Sequence, residues 1–280
     1  MKTLKYILPI VCFAALISSC TERIDLELNE GDNERLVVEG WFTSQEKQHE
    51  VQLTLSTSYL YNQPALRVSG ADVVISDEDG NEWICTEDDP GVYKTPVVAG
   101  VPGKWYTLTI NYNDEEYTAS SWMRHVAPID SLHVRVLDPE EEFGFPGDPY
   151  YSVRLWTQEL EGQGDHYMWQ TYVNGFGVRD TLRELSFVDD TIYDGVYIED
   201  VEIDYLDIET EANPGDTVLL EQYNIGGEAY EVFIGIMNET AWNGGLFDAP
   251  PANVQTNISN GGLGFWGAAG VSEREVVILE

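Results

Sequence analysis

Short runs in which apolar and polar residues alternate recur along most of the chain, and this period of two restricts the fold more than any other feature of the sequence. The run VQLTL at residues 51–55 alternates at every position, which is typical of a strand with one buried face. Asp79-Gly80 lies between two such runs and favours a hairpin, because the turn needs a positive φ. About seven short strands with turn residues between them predict a β-sandwich over residues 35–124.

The second half of the chain also has mainly strand-like runs, with one exception. Residues 228–242 carry apolar side chains at helical spacing and are followed by Asn-Gly-Gly, which predicts an amphipathic helix and its end. A glycine-rich stretch at 260–270 then leads into a terminal strand at 275–279. We therefore expect a mainly β protein with two β-sandwich-like modules, at 35–124 and 125–280, of which the second carries the helix. The apolar positions of the predicted helix are Tyr230, Phe233, Ile234, Met237 and Ala241.

Residues 1–19 have the features of a secretory signal. Two lysines precede an apolar stretch at 7–17, which is too short to cross roughly 30 Å of hydrocarbon as a helix. The tetrapeptide Ile-Ser-Ser-Cys that ends at Cys20 resembles a lipobox, after which a bacterial signal peptidase cuts once the cysteine has been acylated. The alternative is an ordinary signal peptide with a chance cysteine. We predict lipidation of Cys20 and an acidic tether at 20–34.

The balance of charge excludes one class of partner. Acidic residues outnumber basic ones by 50 to 14, so the formal net charge is −36. A nucleic-acid-binding protein needs a basic surface to neutralise phosphates, so we expect no nucleic acid as a partner. An anionic membrane would repel the chain for the same reason, and attachment to a membrane would therefore depend on acyl chains. After loss of the signal, Cys85 would be left without a disulfide partner, since Cys20 would carry lipid.

The residues that catalysis needs do not form a recognisable set. No Gly-x-Ser-x-Gly sequence occurs, and none of the four histidines has a recognisable triad setting. We therefore predict no catalytic residues and no enzymatic activity. A hydrolase with an unfamiliar site is the alternative, and it would need a cleft with convergent carboxylates. The histidines are His49, His125, His133 and His166.

Metal ligands at a characteristic spacing are equally hard to find. Asp77, Asp79 and Asn81 imitate the start of an EF-hand loop, but Glu82 stands where that loop needs glycine. A hairpin explains the same residues without an ion. The acidic run at 138–148 is typical of a solvated loop. We predict no metal site and no cofactor, while structural calcium bound by carboxylates stays open.

Aromatic residues crowd the middle of the chain and flank the predicted helix. Flat rings with polar edges suit contact with a sugar, a peptide or a partner protein. Alternate rings of one strand point to opposite faces, so part of this set belongs to the core. The candidate ligand contacts are Tyr150, Trp169, Trp242 and Phe247.

Several stretches of the sequence are distinctive in combination. They include LVVEGWFT (36–43), SGADVVISDEDGN (69–81), VPGKWYTLTI (101–110) and GGLFDAPPANVQTNISNGGLGFWGA (244–268). Together they resemble a family of Bacteroidota lipoproteins known as domain of unknown function 4249, from about residue 35 to the C-terminus. The front half also resembles immunoglobulin-like and transthyretin-like sandwiches. The resemblance supplies no established catalytic residues.

The resemblance implies a place beside TonB-dependent outer-membrane transporters, near which members of the family commonly occur. We expect a non-enzymatic lipoprotein of the outer membrane that captures a ligand or docks on such a transporter. Exposure on the cell surface is the expectation, and a periplasm-facing tether is the alternative. The alternative function is a cell-surface adhesin or structural module that binds glycans or proteins without a role in import.

Overall fold

Strands account for most of the described structure. The computed structural model describes residues 34–57, 64–144, 146–241 and 254–279, and it confirms the mainly β fold that the alternation predicts. The strands are β1 (Leu36–Thr43), β2 (Glu50–Leu55), β3 (Asp72–Asp77), β4 (Glu82–Asp89), β5 (Val92–Lys94), β6 (Lys104–Tyr112), β7 (Glu115–Met123), β8 (Ile129–Leu137), β9 (Tyr150–Gln158), β10 (His166–Val173), β11 (Phe176–Gly177), β12 (Ser186–Asp189), β13 (Tyr197–Asp207), β14 (Thr217–Asn224) and β15 (Leu263–Val277). The helices within these residues are α1 (Pro139–Phe143) and α2 (Gly226–Ala241).

The strands form one large sheet and one small sheet. The large sheet has the order β11-β10-β14-β15-β1-β2-β5-β4-β3-β6-β7, with β12 beside β10, and the small sheet has the order β13-β9-β8. The last strand of the large sheet, β7, returns to β15, where the backbone N–H of Ala268 donates to Ser121 Oγ at 2.9 Å. The first half of the large sheet therefore folds over itself around one core.

The C-terminal strand β15 joins the two halves of the chain. Its first part, Leu263–Ala269, pairs in parallel with Val37–Thr43 of β1, and its second part pairs antiparallel with β14. The strand therefore includes much of the glycine-rich stretch that the sequence places before it. Small residues permit this, because a Cβ at Gly264 would lie 2.1 Å from the carbonyl oxygen of Val38.

The buried side chains form three clusters. The first lies within the folded half of the large sheet and includes Ile258 and Trp266 from the C-terminal part of the chain. The second lies between the large sheet and the small sheet, and the third lies under α2. The described residues from Glu34 onward form one compact unit, and a module boundary between 124 and 125 stays a prediction.

Helix α2 covers one face of the large sheet. Its bounds, Gly226–Ala241, agree with the predicted helix at 228–242 to within two residues. Ala229 and Val232 are its buried positions, and Phe233 and Ile236 pack beside them. The stripe that faces the sheet is therefore rotated by about one residue from the stripe read from the sequence. None of the helices among the described residues is both long and apolar enough to cross a membrane.

The acidic run at 138–148 contains the short helix α1. Asp138 caps it by accepting a hydrogen bond from the backbone N–H of Glu140 at 2.9 Å, as an N-cap residue does. Gly144 ends it in the left-handed conformation, with φ of 74°. The sequence predicts a solvated loop here and not a helix. Acidic residues are typical of solvated loops, but they also stabilise the first turn of a helix.

Candidate functional site

A groove of about 850 Å³ crosses the face of the large sheet on which α2 packs. Its floor is formed by five neighbouring strands, β2, β1, β15, β14 and β10. Its walls come from α2, from the β1–β2 connection and from the segment at 180–185. The lining residues include Glu39, Trp41, Lys47, Gln48, His49, Glu50, Gln52, Gln170, Tyr172, Asp180, Tyr223, Phe233 and Phe265.

The alternation of β1 places its polar and aromatic side chains in this groove. Glu39 and Trp41 lie two positions apart and share a face of the strand. Glu39 pairs with Gln52 on one side and with Phe265 of β15 on the other. The groove therefore depends on the parallel pairing of strands from opposite ends of the chain.

Three aromatic rings pack together in the apolar part of the groove, beside the aliphatic side chains that also line it. The ring centroids of Trp41 and Phe233 are 5.9 Å apart, those of Trp41 and Phe265 are 5.9 Å apart, and those of Phe233 and Phe265 are 6.1 Å apart. These distances are in the range of favourable aromatic pairs. Gly267 leaves space for the indole, since a Cβ there would lie 2.6 Å from Trp41 Cζ3. Trp41 is half-buried, so part of it remains available to a ligand.

A buried carboxylate holds the tyrosines of the groove in place. Glu221 is 7% exposed, and it accepts hydrogen bonds from Tyr223 Oη, from Tyr172 Oη at 3.1 Å and from Gln45 Nε2 at 2.6 Å. Burial first, and the charge of Glu221 second, raise the pKa of Tyr172 to about 12. Both causes also raise the pKa of Tyr223. These tyrosines therefore remain protonated donors over the physiological pH range.

His49 lies against the groove but is committed to the backbone. Its Nδ1 accepts from the backbone N–H of Thr43 at 3.4 Å, so Nε2 carries the proton and donates to the carbonyl of Val98 at 2.9 Å. Burial is the main cause that lowers the pKa of His49. The imidazole is therefore neutral near pH 7, and both of its nitrogens serve to hold the β1–β2 connection.

Three carboxylates come together elsewhere, at the end of β9 and around β10. Glu159, Asp165 and Asp190 are buried, and one oxygen from each lies within 4.8 Å of the others. Asp190 accepts backbone N–H groups of Gly164 and Asp165 at 2.8 and 3.0 Å, and Arg124 Nη1 lies 3.5 Å from Asp165. Burial is the main cause that raises the pKa of Glu159. Three carboxylates could supply oxygen ligands to a cation. The hydrogen bonds that they accept also explain the cluster as part of the structure without an ion.

The residues that imitate an EF-hand form a hairpin turn. Asp77 accepts hydrogen bonds from the backbone N–H groups of Asp79 and Asn81 at 3.0 and 2.9 Å. Its other oxygen lies 2.8 Å from Asn81 Nδ2 and 3.4 Å from Lys104 Nζ. The carboxylate therefore serves the turn between β3 and β4.

The candidate ligand contacts from the sequence do not line the groove where they can be located. Tyr150 begins β9 in the small sheet, with its hydroxyl 3.3 Å from a carboxylate oxygen of Glu202. Trp169 is buried in the second core, and its indole N–H donates to Gln222 Oε1 at 2.8 Å. Trp242, Phe247 and the predicted lipidation site Cys20 lie outside the described residues.

Sequence reasoning did not select the residues that do line the groove. The alternation in β1 was a usable signal for Glu39 and Trp41, because both had to share one face. Phe233 was recognised as part of an amphipathic helix but not as a wall of a site. Nothing in a single strand's pattern indicates that Phe265 would lie beside Glu39, because that contact depends on strand pairing.

Comparisons with known proteins give a family. No curated protein matches the chain. A solved structure described as the Yersinia pseudotuberculosis adhesin InvE is 16% identical with a TM-score of 0.21; the match covers 68% of this chain and 54% of that one, so the chain spans about half of its length. The family model DUF4249, described as a domain of unknown function, matches residues 21–275. The chain therefore belongs to the DUF4249 family.

Proposed function

We propose that this protein is a non-enzymatic lipoprotein of the outer membrane that captures a ligand for a TonB-dependent transporter or docks on it. The observation that carries the proposal is the groove across the large sheet. It combines three aromatic rings with amide, hydroxyl and carboxylate groups, which is the usual composition of a binding site that orients a polar ligand. His49 of the groove, and the buried Glu221 behind its tyrosines, are engaged in structural hydrogen bonds, which supports binding over catalysis.

The attachment to a membrane is proposed from the N-terminus. Acylation of Cys20 would fix the chain, and the acidic residues at 20–34 would separate the body from a bilayer that repels its charge. The resemblance to Bacteroidota lipoproteins supports a position on the outer membrane that faces the outside, next to a transporter. The folded first half of the large sheet fits the proposed immunoglobulin-like or transthyretin-like sandwich at 35–124.

Co-purification from native membranes tests the proposal. The protein is isolated from detergent-solubilised outer membranes, and we expect a TonB-dependent transporter to accompany it. Cys20→Ala is the matched variant, and it should fail to incorporate radiolabelled palmitate and should leave the membrane fraction. Repeated isolation of the acylated protein without a transporter would contradict the docking role.

An exposed pair of tryptophans favours a second candidate, that of a surface adhesin. Trp105 and Trp122 face each other across β6 and β7, with ring centroids 5.7 Å apart, and they are 47% and 39% exposed. Exposed aromatic pairs suit contact with a glycan or a protein surface. Replacing both with serine should abolish adhesion if this face is the binding site, and it should leave transporter co-purification unchanged.

A further inference from the structure

The charges that line the groove are predominantly negative. Glu39, Glu50 and Asp180 contribute carboxylates, and Lys47 contributes the cation among the described lining residues. Lys47 Nζ is 2.7 Å from Gln45 Oε1, and Glu50 is 3.3 Å from Lys94 Nζ. The remaining carboxylates, on Glu39 and Asp180, have no hydrogen-bond or ion-pair partner within the described part of the chain.

Glu39 lies within the groove floor, so its charge acts directly on a ligand in the groove. It is exposed on the middle strands of the floor, between Gln52 and Phe265, and it shares a face with Trp41. A carboxylate beside an indole attracts an ammonium or a guanidinium through both Coulombic and cation–π interaction. An anionic ligand would meet these carboxylates and the net charge of −36, and it would be repelled.

The shape of the groove indicates an extended ligand. Five neighbouring strands at a spacing of about 4.8 Å give a floor about 19 Å across, which is the length of about six residues of extended peptide. Gln48, Gln52 and Gln170 line it. Gln48 and Gln170 donate through Nε2 to backbone carbonyls, and Gln52 Oε1 accepts from Arg67. The Oε1 atoms of Gln48 and Gln170 can still accept from peptide groups, and Nε2 of Gln52 can still donate to them. The lining therefore offers hydrogen bonds for a backbone as well as carboxylates for basic side chains.

We infer that the groove binds an extended peptide segment that carries lysine or arginine side chains. The inference rests on the proposed capture function and names its ligand class. Glu39 and Asp180 contact the basic side chains, Trp41 supplies a ring for one of them, and the glutamines contact the peptide backbone.

Calorimetry and tryptophan fluorescence on the full acylated chain in detergent test the ligand class. The probes are end-blocked hexalysine, hexa-arginine and hexaglutamate peptides and the uncharged sugar maltohexaose. We expect the cationic peptides to bind, with an affinity that falls as sodium chloride is added. Glu39→Gln and Asp180→Asn should each weaken binding by up to about fivefold, as expected for partly exposed ion pairs.

Glu116→Gln is the matched control, because Glu116 is exposed on β7 and does not line the groove. Equal losses in Glu116→Gln and Glu39→Gln would show general attraction to an acidic surface and would overturn the inference. Binding of maltohexaose in place of the cationic peptides, or of none of the probes, would also overturn it. Transporter co-purification is measured on the same preparations. If the protein binds the cationic peptides but no transporter co-purifies with it, the docking role is contradicted and the peptide inference is not.

Discussion

Two buried tryptophans differ in what their indole N–H groups meet. Trp169 donates to Gln222 Oε1 at 2.8 Å, whereas Trp266 Nε1 has no hydrogen-bond acceptor among the described residues. A buried polar group without a partner costs about 1–3 kcal/mol. The two residues therefore allow the contribution of one hydrogen bond to be separated from the contribution of ring size.

Replacing each tryptophan with phenylalanine tests this difference. Trp169→Phe leaves Gln222 Oε1 buried without its donor, while Trp266→Phe removes an N–H that has no acceptor in the described part of the chain. We expect Trp169→Phe to lower the free energy of unfolding by about 1–2 kcal/mol more than Trp266→Phe. Urea denaturation followed by circular dichroism measures both, and equal losses would contradict the prediction.

Asp77 links the stability of the β3–β4 hairpin to pH. Burial alone would raise the pKa of Asp77, but hydrogen bonds from Asn81 and the nearby Lys104 outweigh it and lower the pKa. A carboxyl whose pKa is lower in the folded protein adds stability above its unfolded value, about 3.9, and this stability is lost as pH falls through the folded value. Asp77→Asn should therefore cost about 1–2 kcal/mol near pH 7 and progressively less below about pH 4.

The control for this titration is Asp72→Asn. Asp72 is exposed at the start of β3, so its replacement should change the unfolding free energy little at either pH. The measurement is urea unfolding between about pH 7 and about pH 3. A deficit in Asp77→Asn that stays constant across this range would show that the carboxylate charge does not contribute.

At the scale of elements, the parallel contact between β1 and β15 depends on a glycine. Gly264 has φ of 85°, and a Cβ there would meet the backbone of Val38 at 2.1 Å. Gly261 also has a positive φ, of 72°, but a Cβ there would meet nothing within 4 Å. Both glycines therefore have a left-handed backbone conformation, but only at Gly264 does a neighbouring strand leave no space for a Cβ.

Alanine at each position separates these effects. Gly261→Ala carries the conformational cost alone, about 1 kcal/mol. Gly264→Ala must also move one strand away from the other, so we expect a loss of more than about 3 kcal/mol or a failure to fold. Thermal unfolding of the two variants, with expression yield, gives the comparison. Similar melting temperatures would mean that the strands tolerate a wider spacing.

Alternation in the sequence predicted the strand-rich fold and the hairpin at Asp79-Gly80, and helical spacing predicted the position of α2, because each depends on neighbouring residues. It did not predict that the glycine-rich stretch at 260–270 would enter a strand, since glycine usually indicates a turn or loop. Here glycine permits close contact with β1 and Trp41. The groove was missed for a related reason, because periodicity gives the face of a residue but not the strand beside it.

At the scale of the whole molecule, β15 determines what can fold separately. A fragment of residues 35–124 lacks Ile258, Trp266 and Ala268 of the first core and the parallel partner of β1. We expect this fragment to be unfolded by circular dichroism and by amide proton dispersion. Joining residues 254–270 to it through a flexible linker should restore cooperative unfolding. A folded 35–124 fragment would instead support the module boundary at 124.

The parallel pairing of β1 with β15 has a mechanical consequence. The strands run in the same direction along seven paired positions, so drawing the start of β1 away from the end of β15 loads these rungs together in shear. Antiparallel neighbours pulled at one shared end would instead separate one rung at a time. If the protein is anchored by its N-terminus and pulled by flow, its first strand would thus resist extension. Single-molecule pulling between residues 34 and 279 would measure that resistance as a high rupture force.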